Sequence, residues 1–300
     1  MAQVADVGTR KTSLPRFASS TLFLSWLGVV PFFLFAILFM FLPGAYFIVE
    51  SFRDAAGNWT LKNIVDLFQP SILNSYILSI QVSAVTAIGG GIFGFLLAYA
   101  AILGGLPKWV RTSLMTFSGV ASNFAGVPLA FAFVSTMGRT GFVTALLNNV
   151  LGFKIYDAGF NLYSFWGLAV TYLYFQFPLM VLVMAPALDG LKREWREASE
   201  NMGATGWQYW RYIALPILLP SLLGTMILLF GNAFGAYATA YALTGSTMYL
   251  VTIQIGAQIR GDVLHNQNLG YALAFGMVVI MAISMFLYTW LQRRSARWLR

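Results

Sequence analysis

Residues 189–216 read DGLKREWREASENMGATGWQYWRYIALP, the one long charged interruption between hydrophobic segments of this 300-residue chain. Long apolar runs lie on both sides of it, so the stretch is a polar loop held at a membrane face. From Lys192 to Met202 it is rich in Glu, Arg, Lys and Ala, residues that favour helix. Gly203 and Gly206 interrupt that helix, and a second short, aromatic-rich segment runs from Trp207 to Ile213. Pro216 lacks an N–H and suits the first turn of the next membrane helix, where the chain is expected to pivot from the surface into the bilayer. Two readings of the loop follow. It is a grip for a soluble partner, or an amphipathic helix resting on headgroups with Trp207, Tyr209, Trp210 and Tyr212 as interfacial anchors.

The composition sets the solvent. Hydrophobic residues make up 59% of the chain, charged residues only 9%, and the mean hydropathy is +0.73. A soluble domain carries roughly a quarter charged residues, so lipid must surround most of this one. With no cysteine, disulfide scaffolds, thiolate metal sites and cysteine nucleophiles are excluded. The net charge of +8 does not point to nucleic acid, because the basic residues border the hydrophobic runs instead of gathering on one soluble face.

A span needs about 20 apolar residues to cross roughly 30 Å of hydrocarbon. Six stretches qualify, at about 22–49, 72–103, 112–137, 164–187, 216–243 and 268–292. They predict an all-α integral membrane protein: a tail at 1–21, a membrane domain over 22–292 with the loop 188–215 between spans 4 and 5, and a tail at 293–300. The first stretch is too long for a signal-peptide core and reads as a retained helix. Thirteen of the 18 basic residues fall to one face, among them Arg10, Lys11, Arg16, Lys108, Arg111, Lys192, Arg193, Arg196, Arg211 and Arg293. Arg53, Lys62, Arg139, Lys154 and Arg260 fall to the other. The excess of positive charge predicts that both termini and the long loop are cytoplasmic.

No charged residue falls inside a span. Ion-coupled carriers need ionisable or ion-chelating groups near the midplane, so the energy for transport is expected to come from elsewhere. The chain has no GxxxxGK[ST] either. If ATP drives it, the ATPase is a separate polypeptide.

Within the loop, Glu197-Ala198-Ser199, three residues, Gly203, nine residues, Ile213, one residue and Leu215-Pro216 form a spaced pattern. It resembles the cytoplasmic signature of the inner-membrane permeases of binding-protein-dependent ABC importers, in which Glu-Ala-Ala takes the first three places; Ser199 replaces the second alanine. Span number and order are similar over nearly all of 22–292. The resemblance implies a type I importer permease fold whose loop is a coupling helix seated in a groove of a cytoplasmic ABC ATPase dimer. Glu197 would then be the polar contact and Gly203 the turn between two short helices. It implies a second permease subunit, identical or homologous, an extracytoplasmic substrate-binding protein, and a place in a bacterial inner membrane. No cofactor or metal is expected on this chain itself, ATP and Mg being used by the partner ATPase.

The resemblance also bears on substrate. Asn201-Met202-Gly203-Ala204 lacks the Asp that many sugar permeases carry before the glycine, and is similar to the polyamine, sulfate, iron and phosphonate branches. Asn74-Ser75 and Ala98-Tyr99-Ala100 are similar to the polyamine-type permeases, which makes a polyamine or related small amine the first expectation. Against it, a dication would favour a buried carboxylate, and the spans hold none. Aromatic rings can compensate in part at about 0.5–2 kcal/mol per cation–π contact. Outward acids (Glu50, Asp54, Asp66, Asp157, Asp262) are expected to serve either the substrate or docking of the binding protein.

Polar groups that can line a path are Asn74, Gln81, Ser122, Asn123, Gln176 and Asn232. Each has a plainer reading as an interhelical hydrogen bond worth about 0.6 kcal/mol. Gly90 and Gly94 form a small-xxx-small pair that reads as close helix packing. Pro128, Pro178 and Pro186 are candidate kinks. The apolar run Phe142–Leu151, inside the loop from Arg139 to Phe160, is expected to form a short outer helix touching the binding protein, or a re-entrant piece. A lone His265 cannot build a metal site or a triad. Two other classes remain to be told apart by experiment: a stand-alone carrier or channel, and an integral-membrane enzyme, for which the chain offers little chemistry.

Overall fold

The computed structural model describes residues 28–245, 247–260 and 265–296. The expected tail at 1–21, the start of the first span, Asp262 and residues 297–300 lie outside the described residues. Among the described residues regular structure is helical, apart from one isolated antiparallel bridge between Arg53 and Trp59. Six stretches are long and apolar enough to cross a membrane: Gly28–Glu50, Pro70–Leu103, Val127–Leu151, Phe165–Asp189, Gly206–Phe234 and Gln267–Arg293. The all-α, six-span expectation therefore holds.

The chain divides into two units after Val49. Helix α1 (Gly28–Glu50) supplies the described part of the first unit. It is apolar around its circumference, as suits a membrane-spanning helix. Its segment Ile37–Phe41 is wound as a π-helix, with the Leu42 N–H bonded to the Ile37 carbonyl. The cause is local. Pro43 follows, and a proline ring in a regular α-turn collides with the carbonyl four residues earlier; a wider turn moves that carbonyl aside.

The second unit begins with a small capped loop and the short helix α2 (Lys62–Asp66), then α3 (Pro70–Leu103). At 34 residues α3 is about 51 Å long. It packs most extensively along α7 (Phe165–Asp189), and the glycine pair explains why. A Cβ on Gly90 would lie 2.6 Å from Cβ of Gln176, and one on Gly94 2.6 Å from Cβ of Met180 and 2.9 Å from the Phe177 carbonyl oxygen. The two backbones meet where side chains would keep them apart. Both Pro178 and Pro186 are accommodated inside α7.

Between these two helices in sequence lie α4 (Lys108–Asn123), α5 (Val127–Met137) and α6 (Phe142–Leu151). The span expected as one helix over 112–137 is thus two, broken at 124–126. Gly126, at φ +75°, and Pro128 in the first turn of α5 account for the break, since the first adopts a left-handed backbone and the second restarts a helix. After α7 come α8 (Arg193–Asn201) and α9 (Gly206–Phe234). Pro216 stands in the first turn of the α-helical stretch Leu215–Phe234, as expected, but helical backbone does not begin there. Instead α9 runs through it from Gly206, with Trp210–Ala214 wound as a π-helix and the Leu215 N–H bonded to the Trp210 carbonyl. This is the same five-residue widening before Leu-Pro that α1 shows. The span expected over 216–243 is also broken, at Gly235 and Ala236, and continues as α10 (Tyr237–Thr244). Helices α11 (Val251–Arg260) and α12 (Gln267–Ala296) complete the chain.

Two ends of the second unit follow from its contacts. Arg111, at the start of α4, pairs with Asp189 at the end of α7 (Nη2–Oδ2 2.6 Å), and Tyr99 near the end of α3 meets Trp210 edge-on at 5.2 Å. These helix ends share one face with the 190–214 loop. The opposite face holds the start of α3, the end of α5 and the start of α7.

Candidate functional site

The 190–214 loop is a helix, a tight turn and a second helix. Helix α8 ends at Met202 because Gly203 takes φ +81°, which lets the Gly203 N–H reach the Glu200 carbonyl (2.9 Å) and the Ala204 N–H the Ser199 carbonyl (3.0 Å). Thr205 then caps α9: its Oγ1 accepts from the Gln208 N–H (3.3 Å), and the Gln208 side chain accepts from the Thr205 N–H (2.7 Å). One face of α8 is polar and open. Glu197 is paired with Arg193 and Glu200 with Arg196, each at 2.8 Å and well exposed. Such surface pairs are worth about 0.3–0.5 kcal/mol, so Glu197 is free to exchange its partner at little cost. Glu200 pushes the Arg196 guanidinium further above its ordinary value, through a hydrogen bond first and charge second.

The spaced pattern divides by burial. Glu197, Ala198, Gly203 and Leu215 are exposed, Ile213 and Pro216 are half-buried, and Ser199 is buried with its hydroxyl donating to the Arg196 carbonyl at 2.8 Å. A small residue is needed at Ser199 because that position faces inward. The four aromatics also divide. Trp207 and Tyr212 are exposed, whereas Tyr209 is buried and Trp210 packs on Tyr99. The reading of all four as headgroup anchors is therefore corrected for two.

Deeper in the second unit the two helix breaks come together. Helix α5 packs on α10, and the Gly126 N–H donates to Thr239 Oγ1 at 2.7 Å. The Ala236 carbonyl accepts from the Tyr172 hydroxyl at 2.8 Å. One orphan donor and one orphan acceptor, each left by an interrupted helix, are thereby satisfied by side chains. Irregular backbone within a membrane domain is tolerated where its polar groups find such partners or line a water-filled cavity. On α7, the Tyr174 ring stands against Phe124 at 6.1 Å and Phe133 at 6.0 Å. Sequence reasoning missed Tyr172 and Thr239; the Gly126-Val127-Pro128 restart was the available signal for the break.

The six path candidates do not form one cluster. Ser122 and Asn123 end α4, both bonded to the Gly119 carbonyl (3.3 and 2.9 Å), and Asn232 lies exposed just before the α9 break. Gln81 is exposed on α3. Gln176 is wholly buried; its Nε2 donates to the Leu229 carbonyl of α9 at 2.8 Å while its Oε1 has no partner. For this residue the plainer interhelical reading describes the structure. Asn74 lines a cavity of about 390 Å³ near the start of α3, with Ser71, Ser75, Thr247, Tyr249 and Gln254. Its wall is pinned by Gln254 Nε2 on Ser75 Oγ (3.2 Å) and by the Val251 N–H on Ser79 Oγ (2.9 Å). Among the described residues no charged side chain lines it.

The family profile described as "Binding-protein-dependent transport system inner membrane component" matches residues 90–297, which include the loop and both breaks. The chain belongs to this family. As an ABC permease it has relatives among several substrate classes. It is 29% identical over 181 residues to the sulfate transport system permease protein CysT of Escherichia coli K12, covering 59% of this chain and 61% of that one. It is 24% identical over 277 residues to the spermidine/putrescine permease PotB of Haemophilus influenzae, covering 85% and 90%. Among solved structures, a bacterial ABC transporter involved in alginate import superposes with a TM-score of 0.74 at 16% identity, over 92% of this chain and 96% of that one. That likeness carries the fold alone.

Proposed function

We propose that this permease is the translocating subunit of an ATP-driven importer whose α8–turn–α9 loop seats in a groove of a cytoplasmic ATPase dimer. The observation that carries this reading is the loop itself: its spaced pattern sits on a projecting helix with Glu197 and Ala198 exposed, closed by the left-handed Gly203. Charge balance favours a protein partner over headgroups. Residues 189–216 hold four acids against four bases, and a helix made for anionic lipid is predominantly basic. In this reading both termini are cytoplasmic, ATP and Mg act on the partner ATPase, and a second permease completes the path. An extracytoplasmic binding protein delivers the solute; the alginate transporter has been solved with a periplasmic protein of that kind. The paired breaks at 124–126 and 235–236, with Ser122, Asn123 and Asn232 at the broken ends, form the constriction that opens when the ATPase closes.

For substrate we propose a polyamine or a related small amine, supported by the nearly full-length relation to PotB. A neutral lining such as the Asn74 cavity suits a path that must release what it takes, with selectivity left to the binding protein. Sulfate is the second reading, favoured by the higher identity to CysT and by the lack of a carboxylate among the described residues lining that cavity. Purification of tagged chain from native membranes, followed by mass spectrometry of its companions, tests the importer. Recovery of an ATPase and a second permease supports it; recovery of the chain alone favours a stand-alone carrier. Uptake of labelled spermidine and of labelled sulfate by the same cells decides between the substrates.

A further inference from the structure

Helix α6 has two unlike faces. Phe142, Leu146 and Val150, four residues apart, are 71%, 48% and 70% exposed, a continuous apolar stripe. On another face Ala145, Asn148 and Asn149 close a cavity of about 310 Å³ with Arg139, Lys154 and Tyr156. Two cations and two side-chain amides look into it. The one carboxylate there, Asp157, lies 3.9 Å from Lys154 in an exposed pair. The Arg139 guanidinium stands 5.6 Å over the Tyr156 ring, and the Tyr156 hydroxyl donates to the Met137 carbonyl at 2.8 Å, which fastens the cavity to the end of α5.

The helix lengths place α6 in the membrane cross-section. Helices α4 and α5 together hold 27 residues, about 40 Å, enough to traverse the hydrocarbon from the face bearing the Arg111–Asp189 pair. Helix α7 crosses back from Phe165, where exposed Tyr163 and Trp166 sit as interfacial aromatics do. The apolar stretch Val127–Leu151 is interrupted between Met137 and Phe142, so its second half, α6, is separate from the crossing made by α4 and α5; lying between these two helix ends, α6 is at headgroup height on the face opposite the 190–214 loop. At that height an apolar stripe beside a cationic pocket has the order of a lipid, acyl chain beside phosphate.

We propose that α6 is an interfacial helix, with its stripe in the acyl boundary, and that the Arg139–Lys154 pocket holds the phosphate of an anionic phospholipid of the surrounding bilayer. Arginine forks a phosphate with two N–H donors, and the Asn amides donate to the remaining oxygens. The lipid then fixes the α5–α6 turn against the start of α7. This inference needs the membrane spans but not the identity of the solute or of the ATPase.

The cysteine-free chain lends itself to the test. Full-length protein in phosphatidylglycerol nanodiscs is spin-labelled at single cysteines replacing Leu146, Val150 or Asn148. Oxygen, which partitions into lipid, is expected to relax the labels at 146 and 150 more than a water-soluble nickel chelate does, with the reverse at 148. Native mass spectrometry is expected to show one phosphatidylglycerol retained by the parent chain, undisplaced by millimolar inorganic phosphate, and retention at least tenfold lower in R139Q/K154Q. Labels at 146 and 150 that meet the nickel chelate as readily as the label at 148 overturn the interfacial helix. Equal retention by the double variant, or displacement by inorganic phosphate, overturns the lipid pocket.

Discussion

The turn at Gly203 offers the sharpest perturbation. Its φ of +81° closes α8, and a Cβ placed there meets nothing within 4 Å. Substitution therefore costs only the backbone preference, about 1–2 kcal/mol for an L-residue held left-handed. At 1.4 kcal/mol per factor of ten, Gly203→Ala is expected to reduce the population of the native turn, and with it the affinity for the ATPase, by about 5- to 30-fold. Gly203→Asn is expected to lose less, because Asn tolerates this region, and Gly203→Val more, because a β-branched residue resists it. Hydrogen exchange at Gly203 and Ala204, whose N–H groups bond Glu200 and Ser199, reads the turn directly. Titration of the ATPase onto detergent-solubilised permease reads the coupling. The thermal midpoint of the membrane helices is expected to stay put, since nothing packs on this glycine. If Gly203→Val exchanges and binds like the parent, the left-handed turn is not required and the coupling geometry argued from it fails.

Three further outcomes are expected. Glu197→Ala is expected to lower ATP-driven uptake severalfold with the fold intact, because its pair with Arg193 is exposed; normal uptake by this variant would sink the role given to Glu197. Thr239→Val leaves the Gly126 N–H without an acceptor, a loss of about 1–3 kcal/mol, seen as a lower thermal midpoint that Thr239→Ser restores. Gly94→Ala forces a Cβ to within 2.9 Å of the Phe177 carbonyl, and the overpacking is expected to cost about 1–3 kcal/mol by the same assay, whereas Gly119→Ala, in open space, is expected to be neutral.

Much of this was legible beforehand. Apolar runs interrupted by charge define spans whatever their neighbours, because each backbone group in lipid must bond within its own segment. The loop pattern at 197–216 likewise rests on local chemistry: a helix-forming run, a glycine that alone is comfortable left-handed, a proline beyond it. Even the apolar run Phe142–Leu151 formed the helix its composition suggested.

What the sequence could not disclose is where long helices fail. Hydropathy sees 112–137 and 216–243 as single spans because a broken helix is as apolar as a whole one. The breaks persist only because Thr239 and Tyr172, distant in sequence, satisfy the freed backbone groups. Pro216 shows the converse: a residue that locally marks a helix start is preceded by a π-turn within helical backbone that already starts at Gly206. Gln176, legible as a path residue, is instead sealed between α3 and α9 because Gly90 admits it. Spans, loop and family pattern depend on near neighbours, and the sequence alone determined them. Which polar groups meet each other depends on residues far apart in the chain, and only the tertiary structure decided it.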